Sequence, residues 1–382
     1  MKNVVILGST GTIGINALKV IDDLAPRYRV LALTAYNNFQ LLEQQIKKFK
    51  PSWIAVSDAG YDYFKSGSSG IDKKHVLQVH RDLEALVSRK DVDIVVIGMR
   101  GGGALKPFLS AVRHGKVVAP ANKEALVMAG DILMNEARKH GARIIPIDSE
   151  QSAIYQCLEG EERKALKKVY LTASGGPLYS VDSARFDKLS VEDVLNHPRW
   201  KMGKKITVDS ATLMNKGFEV IEAKHLFDLS VDKIEIIIHR EAIIHSMVEF
   251  CDGSVLAQLG ITDMRLPIQY ALTYPDRLPS SLPSIDFFKI GQLTFAKPDY
   301  RKFPSLKLAL SVARAGGTLP SVLNAADEEV VEAFLEKRIT FPKIYKIVEK
   351  VVRKHANKMN PDIDQILGAD RWAREEVKQY IT

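Results

Sequence analysis

Cysteine is nearly missing from this chain: of 382 residues only Cys157 and Cys251 carry a thiol, and they stand far apart. That excludes a disulfide framework and a thiolate metal site, and it suits a reducing cytoplasm. No apolar run approaches the length of a membrane span. Dense basic runs are missing too. The formal charge is +8, but the lysines and arginines are scattered and have no interleaved aromatics. Nucleic-acid binding is therefore not expected, and the positive excess suits phosphorylated small molecules instead. Neither an internal repeat nor a low-complexity stretch occurs. A strand pattern opens at Met1-Lys2-Asn3-Val4-Val5-Ile6-Leu7-Gly8, so no signal or transit segment is expected.

What remains is a globular balance, 46% hydrophobic and 26% charged, enough for two or three domains with apolar cores of their own. Residues 1–148 alternate strand patterns (4–7, 30–33, 53–56, 94–97, 117–119 and 144–147) with helical ones such as 16–24 and 39–49. That alternation implies an α/β domain, a Rossmann-type, doubly wound parallel sheet. Residues 149–273 carry strands at 168–172, 234–239 and 255–259 with longer loops, a central α+β domain with a lid loop at about 196–206. Pro275, Pro279, Pro283, Pro298 and Pro304 mark 274–304 as an extended linker. Residues 305–382 form a C-terminal helical domain. There Ile344, Ile347, Val348, Val351 and Val352 follow helical spacing, and Asp362 and Asp370 are expected at caps or first turns.

"VVILGSTGTIG" sets Gly8, Gly11 and Gly14 between the first strand and a helix. Glycine suits a backbone that turns sharply and meets a pyrophosphate at a helix N-terminus. The second strand ends in Thr34-Ala35-Tyr36-Asn37-Asn38, with no carboxylate to grip a ribose 2′-hydroxyl. NADP is favoured over NAD, although Thr34, Asn37 and Asn38 offer a 2′-phosphate only neutral hydrogen bonds.

"IIPIDSEQSA" ends an apolar run in two acids. On an extended segment Asp148 and Glu150 leave the same face, where they repel unless a proton or a hard cation such as Mg²⁺ or Mn²⁺ lies between them. "VDSATLMNKGFEVIEAKHLF" reads as one helix entered through Asp209 and Ser210. Asn215 and Glu219 share a face of it, so Glu219 is a candidate third oxygen ligand, with Asn215 and Lys216 beside it for a phosphate. "LTASGGPL" places Ser174 before two glycines, an anion nest or a plain turn. "NHPRWKMGKK" sets His197, Trp200 and Met202 in a polar loop with Gly203 as a hinge, a candidate lid. "APANKEALV" carries Asn122, Lys123 and Glu124 at the carboxyl end of the sheet. His245 in "AIIHSMVEF" reads as a satisfied core histidine, or as one that supports a site residue from behind, rather than as a base.

These motifs together resemble the 1-deoxy-D-xylulose 5-phosphate reductoisomerases, a match carried by "GSTGTIG", "ANKEALV", "PIDSEQSAIYQCL", "LTASGGP", "HPRWKMGKKITVDSATLMNKGFEVIEA" and "IIHSMVEFCDGSVLAQLG". The resemblance implies NADPH-dependent isomerisation and reduction of 1-deoxy-D-xylulose 5-phosphate, with Mg²⁺ or Mn²⁺, by a homodimer. It implies that Asp148, Glu150 and Glu219 bind the metal. Ser149 and Lys123 would contact substrate oxygens, and Ser174, Ser210, Asn215 and Lys216 would hold its phosphate under a lid closed by His197. Thr10, Gly11, Thr12 and Ile13 would line the pyrophosphate, with Asn122, Glu124 and Gly203 near the nicotinamide.

Two departures stand out. Where the family often has Gly-Lys-Asn after the second strand, this chain has Tyr36-Asn37-Asn38, which weakens selectivity for NADPH over NADH. "GMRGGGALKP" reads as a longer loop and brings in Arg100, expected to touch cofactor phosphate. Two other readings use the same residues differently: a metal-independent NADP-dependent dehydrogenase of a small phosphorylated or acidic substrate, and a nucleotide-sensing regulator without turnover.

Overall fold

The structure, a computed structural model, describes residues 1–65, 72–200 and 202–381; Lys201, inside the expected lid, lies outside them. By contacts the chain forms two compact units.

The first contains strands β1 (Lys2–Leu7), β2 (Tyr28–Ala35), β3 (Trp53–Val56), β4 (Val76–Gln78), β5 (Ile94–Ile97), β6 (Val117–Pro120) and β7 (Arg143–Ile144). They form one parallel sheet in the order β4-β3-β2-β1-β5-β6-β7. The order reverses at β1, so ligands are expected beyond its carboxyl end. β1 and β5 bury Val4, Val5, Ile6, Leu7, Val95, Val96 and Ile97 completely, the continuous apolar runs of a sheet covered on both faces. Residues 263–283 also belong to this unit. The helix Arg265–Thr273 packs on the helix Thr12–Asp23, and the Tyr28 hydroxyl donates to the Leu272 carbonyl at 2.9 Å.

The second unit holds β8 (Leu166–Ala173), β9 (Ile234–Ile238), β10 (Ile244–Phe250) and β11 (Val255–Leu259) in the order β11-β10-β8-β9. β8 runs parallel to β9 and antiparallel to β10. Helices Pro304–Ala315, Leu319–Leu335, Phe341–Lys354 and Ile363–Ile381 follow, with the second at the centre of their packing.

Five local expectations change. Strand β7 stops at Ile144 because the next rung needs an N–H from residue 120 of β6, and Pro120 has none. Ile145 and Ile147 still donate to Val118 and Pro120 at 2.9 Å, so the segment stays extended to 147. Asp148 then precedes a helix, Ser149–Cys157, that holds Glu150 in its first turn; the pair is not on one strand face. The segment 204–227 is two helices, Lys204–Thr212 and Met214–Phe227, split by Leu213 at φ 59°, so Asp209 and Ser210 lie inside the first rather than at an entry. His245 lies on β10, a strand its segment did not announce. Asp362 does cap, accepting from the Gln365 amide at 2.8 Å, whereas Asp370 lies inside the helix Ile363–Ile381 and pairs with Arg374 at 2.8 Å.

Candidate active site

The glycine-rich turn is shaped from beneath. The Gly8 amide donates to Thr34 Oγ1 at 2.8 Å and the Ser9 amide to the Thr34 carbonyl at 2.8 Å. Ser9 Oγ also bonds buried Gln45 at 2.7 Å, and Gln45 returns a bond to the Ser9 carbonyl at 2.9 Å. Thr34 is therefore committed to the turn and is not available for a 2′-phosphate, because its hydroxyl oxygen faces inward. A Cβ on Gly14 would lie 2.4 Å from the Gly8 carbonyl oxygen, whereas one on Gly11 would meet nothing nearer than 3.5 Å. The fold itself thus requires glycine at 14 but leaves room over Gly11, Thr12 and the N-terminus of the helix Thr12–Asp23, which no described side chain caps. Open space above uncapped amides fits a pyrophosphate.

Asn38 caps the next helix, accepting from the Leu41 amide at 3.1 Å, so its oxygen is already in use. Tyr36 is exposed and meets His80 edge-on at 5.7 Å. Asn122 caps the helix Lys123–His140 through Ala125 at 3.0 Å. Its amide nitrogen donates to the Met99 and Gly101 carbonyls at 2.9 and 3.2 Å, which fixes the loop carrying exposed Arg100. Glu124 follows in the first turn, where a carboxylate complements the helix dipole.

The cap on that helix also sets Lys123, whose Nζ lies 2.6 Å from Asp148 Oδ2, both side chains nearly buried. Ser149 Oγ donates to Glu150. On the helix Met214–Phe227, Asn215 Nδ2 donates to Glu219 Oε1 at 2.6 Å and Lys216 donates to Glu219 Oε2. Glu219 is 1% exposed, and a carboxylate that dry requires such counter-charge. Asp148 and Glu150, half-buried in the first unit, and Glu219, buried in the second, are the acids with the character of metal ligands. Carboxylates are hard oxygen donors, which suit a divalent cation of the Mg²⁺ or Mn²⁺ class.

Strand β8 ends at Ala173 and leads into Ser174, followed by Gly175 and Gly176 at φ 83° and 71°. The Gly176 amide donates to Ser174 Oγ at 3.3 Å. A Cβ at 176 would meet the Ser210 carbonyl oxygen at 2.3 Å, so only glycine lets this turn approach Ser210. His197 Nε2 is 3.2 Å from Ser174 Oγ, while its Nδ1 accepts the Arg199 and Trp200 amides at 3.2 and 2.9 Å. Two donors on Nδ1 leave the proton on Nε2, making His197 a neutral donor to Ser174. Arg199 ties the loop to the Arg240 carbonyl at 3.0 Å, and the Trp200 ring lies 6.4 Å from His245. Gly203 has an ordinary extended backbone as N-cap of the helix Lys204–Thr212.

Burial pushes the His197 pKa down to about 4. Unfolded histidine titrates near 6.5, so between those values the free loop binds more protons than the docked one, and docking strengthens as pH rises. Docking should be complete above pH of about 6.5 and weaken progressively towards about 4. An NMR titration of the ring nitrogens should give a midpoint near the lower value; one near that of free histidine would contradict the latch.

Sequence reasoning missed Thr34 and Gln45 as supports of the turn, and Asp327 altogether. A buried glutamine on an apolar helix face was the one available sign for Gln45.

Known proteins resemble this chain along its whole length. The 1-deoxy-D-xylulose 5-phosphate reductoisomerase family profile matches residues 4–130, and its C-terminal domain profile residues 144–227. A DXP reductoisomerase C-terminal domain profile matches 259–376. The enzyme of that name from Thermodesulfovibrio yellowstonii is 46% identical over 385 residues, covering 100% of both chains. Its counterpart from Thermoanaerobacter pseudethanolicus is 47% identical over 384 residues, again covering 100% of both. A crystal structure of DOX-P reductoisomerase with NADPH, fosmidomycin and magnesium superposes at TM-score 0.94 with 38% identity, covering 100% of this chain and 98% of that one. The Zymomonas mobilis enzyme in complex with NADPH gives 0.91 with 38% identity, over 100% and 99%.

Proposed function

The chain belongs to the 1-deoxy-D-xylulose 5-phosphate reductoisomerase family, and from that premise we propose how its residues share the work. It is an NADP-dependent oxidoreductase that converts 1-deoxy-D-xylulose 5-phosphate to 2-C-methyl-D-erythritol 4-phosphate, the committed step towards isoprenoids by the non-mevalonate route. Asp148, Glu150 and Glu219 hold one divalent cation, and the observation that carries this assignment is the Glu219 carboxylate, 1% exposed and met by Asn215 and Lys216. When bound, the cation supplies Lewis acidity towards the ketose carbonyl and its neighbouring hydroxyl, and NADPH supplies the hydride.

The chain does the rest. Lys123 presents an ammonium beside Asp148, and Ser149 a hydroxyl beside Glu150, so both meet substrate oxygens as these gain negative charge. Ser174, Ser210, Asn215 and Lys216 take the phosphate, and binding energy from that remote group positions the reacting carbons. His197 closes the loop over Ser174 and keeps water out. Gly8 shapes the cofactor turn, while Thr10, Gly11, Thr12 and Ile13 face the pyrophosphate. Tyr36, Asn37 and Asn38 lie towards the adenosine end, and Asn122, Glu124 and Gly203 towards the nicotinamide. With Thr34 buried and turned to the Gly8 amide, Asn37 and Asn38 offer a 2′-phosphate only neutral amide donors, so that adenosine end has little with which to choose NADPH over NADH.

The enzyme acts as a cytoplasmic homodimer, in this reading. β11 is an edge strand exposing Val255 and Leu256, and Phe287 and Phe288 are exposed in the same unit, an apolar surface that pairing would cover. A solution mass equal to the 42.6 kDa of one chain would contradict it. For the activity, purified protein is mixed with 1-deoxyxylulose 5-phosphate, NADPH and Mn²⁺, and nicotinamide absorbance is followed with and without EDTA. Turnover that survives chelation would return the metal-independent dehydrogenase; binding of NADPH without turnover would return the sensor.

A further inference from the structure

The helix Lys204–Thr212 carries a charge arrangement for which the reaction above has no use. Lys205 Nζ lies 2.6 Å from Asp209 Oδ2, one turn further along the helix, and 2.8 Å from Asp327 Oδ2 on the helix Leu319–Leu335. Asp209 and Asp327 are 3% and 0% exposed. Two carboxylates against one ammonium in so dry a place are costly, since each uncompensated charge loses its hydration. Among the described residues, Asp209 Oδ1 and both oxygens of Asp327 make no hydrogen bond; Lys205 reaches Asp327 at ion-pair distance but off the hydrogen-bonding direction. Burial, and then the neighbouring Asp327, push the Asp209 carboxyl well above the usual range. A single proton held between the two carboxyls would give the orphaned oxygens a donor and bring the trio to neutrality.

We propose that Lys205, Asp209 and Asp327 form a proton-sharing clamp that positions the helix Lys204–Thr212 and, with it, the Ser210 hydroxyl of the phosphate cradle. The clamp sits where small displacements matter. Gly203, at the end of the lid, is the N-cap of this helix. Ser210 follows Asp209 directly, and its carbonyl presses so closely on Gly176 that a Cβ there would overlap it. Lys205 also lies over the Phe218 ring at 4.8 Å. Its one ammonium thus ties the Ser210 helix both to the helix bearing Lys216 and Glu219 and to the C-terminal bundle. Lys205, Asp209 and Asp327 are positioning residues and touch no substrate.

The inference rests on Ser210 belonging to the phosphate cradle, so its test has one arm that needs no turnover. Infrared difference spectra at neutral pH should show a protonated carboxyl band in the wild-type protein that disappears in Asp209→Asn or Asp327→Asn. A wild-type spectrum without a band that either variant removes overturns the shared proton. In the kinetic arm, Asp209→Asn replaces an O–H donor by an N–H donor and should keep the KM for 1-deoxyxylulose 5-phosphate within about twofold. Asp209→Leu should raise that KM about tenfold at unchanged KM for NADPH, because a slightly shifted helix misplaces Ser210. A folded Leu variant with wild-type KM overturns the positioning role, as does an Asn variant as impaired as Leu. If Asp209→Leu does not fold, Asp327→Leu is read by the same criteria. A wild-type protein that does not turn over the ketose at all contradicts the proposed function and leaves the infrared result standing.

Discussion

Glu219→Gln is expected to lower kcat about a thousandfold, the effect of losing about 4 kcal/mol of charge stabilisation in the transition state. The amide keeps the volume of the side chain and can still accept from Asn215, which donates to Glu219 at 2.6 Å. What it removes is the negative charge, and a divalent cation held by oxygen donors depends on that charge. The fold should survive, because the site is buried but small and the substitution leaves no cavity. Weaker neutralisation of Lys216, which donates to the same carboxylate, should cost a few degrees of melting temperature at most. Kinetics at saturating Mn²⁺ together with a thermal melt separate the two effects. A variant with near-normal kcat would remove Glu219 from the metal site, and a variant that fails to fold would make it structural.

Lys216→Met comes next in size. Lys216 is 3% exposed, so its ammonium acts in a medium of low dielectric, where a charge-assisted bond to phosphate is worth about 1.5–3 kcal/mol. The KM for the ketose phosphate should rise about 10- to 100-fold, while the KM for NADPH stays put. Methionine is preferable to alanine because it keeps the stem that packs in the helix Met214–Phe227 and avoids a cavity. A loss confined to cofactor affinity would contradict the assignment. Equal loss in kcat and kcat/KM would show that the lysine acts on the reacting atoms rather than on the phosphate.

The sheet of the first unit was legible because most of its strands are short, carry an apolar run and are bounded by turns. β3 and β5, and the helix Phe39–Phe49, have the bounds their patterns imply. The helix is delimited by Asn38 as cap and by Lys50 in the left-handed region. β4 is three residues long, too short for any period to register. β10 escaped because "IHSMVEF" mixes polar and apolar residues on a strand paired on both edges. The break at Leu213 could not be read, since leucine gives no sign of a positive φ and tertiary packing imposes it.

The site was legible motif by motif, with one wrong step on the way. Asp148 and Glu150 do come together, but through the start of a helix rather than the alternation of a strand. Which groups already had partners could not be read at all. Thr34 and Asn38 looked free for the cofactor and are engaged in the turn and a cap. Asp209 looked like a helix entry, yet it faces Asp327 across a distance in sequence that no local pattern reveals.

Anomalous diffraction from a crystal soaked in Mn²⁺ tests the centre of this account most directly. The prediction is a single peak per chain with carboxylate oxygens of Asp148, Glu150 and Glu219 each about 2.1–2.2 Å from it. A peak that leaves out any one of the three, or that lies away from them, would contradict it.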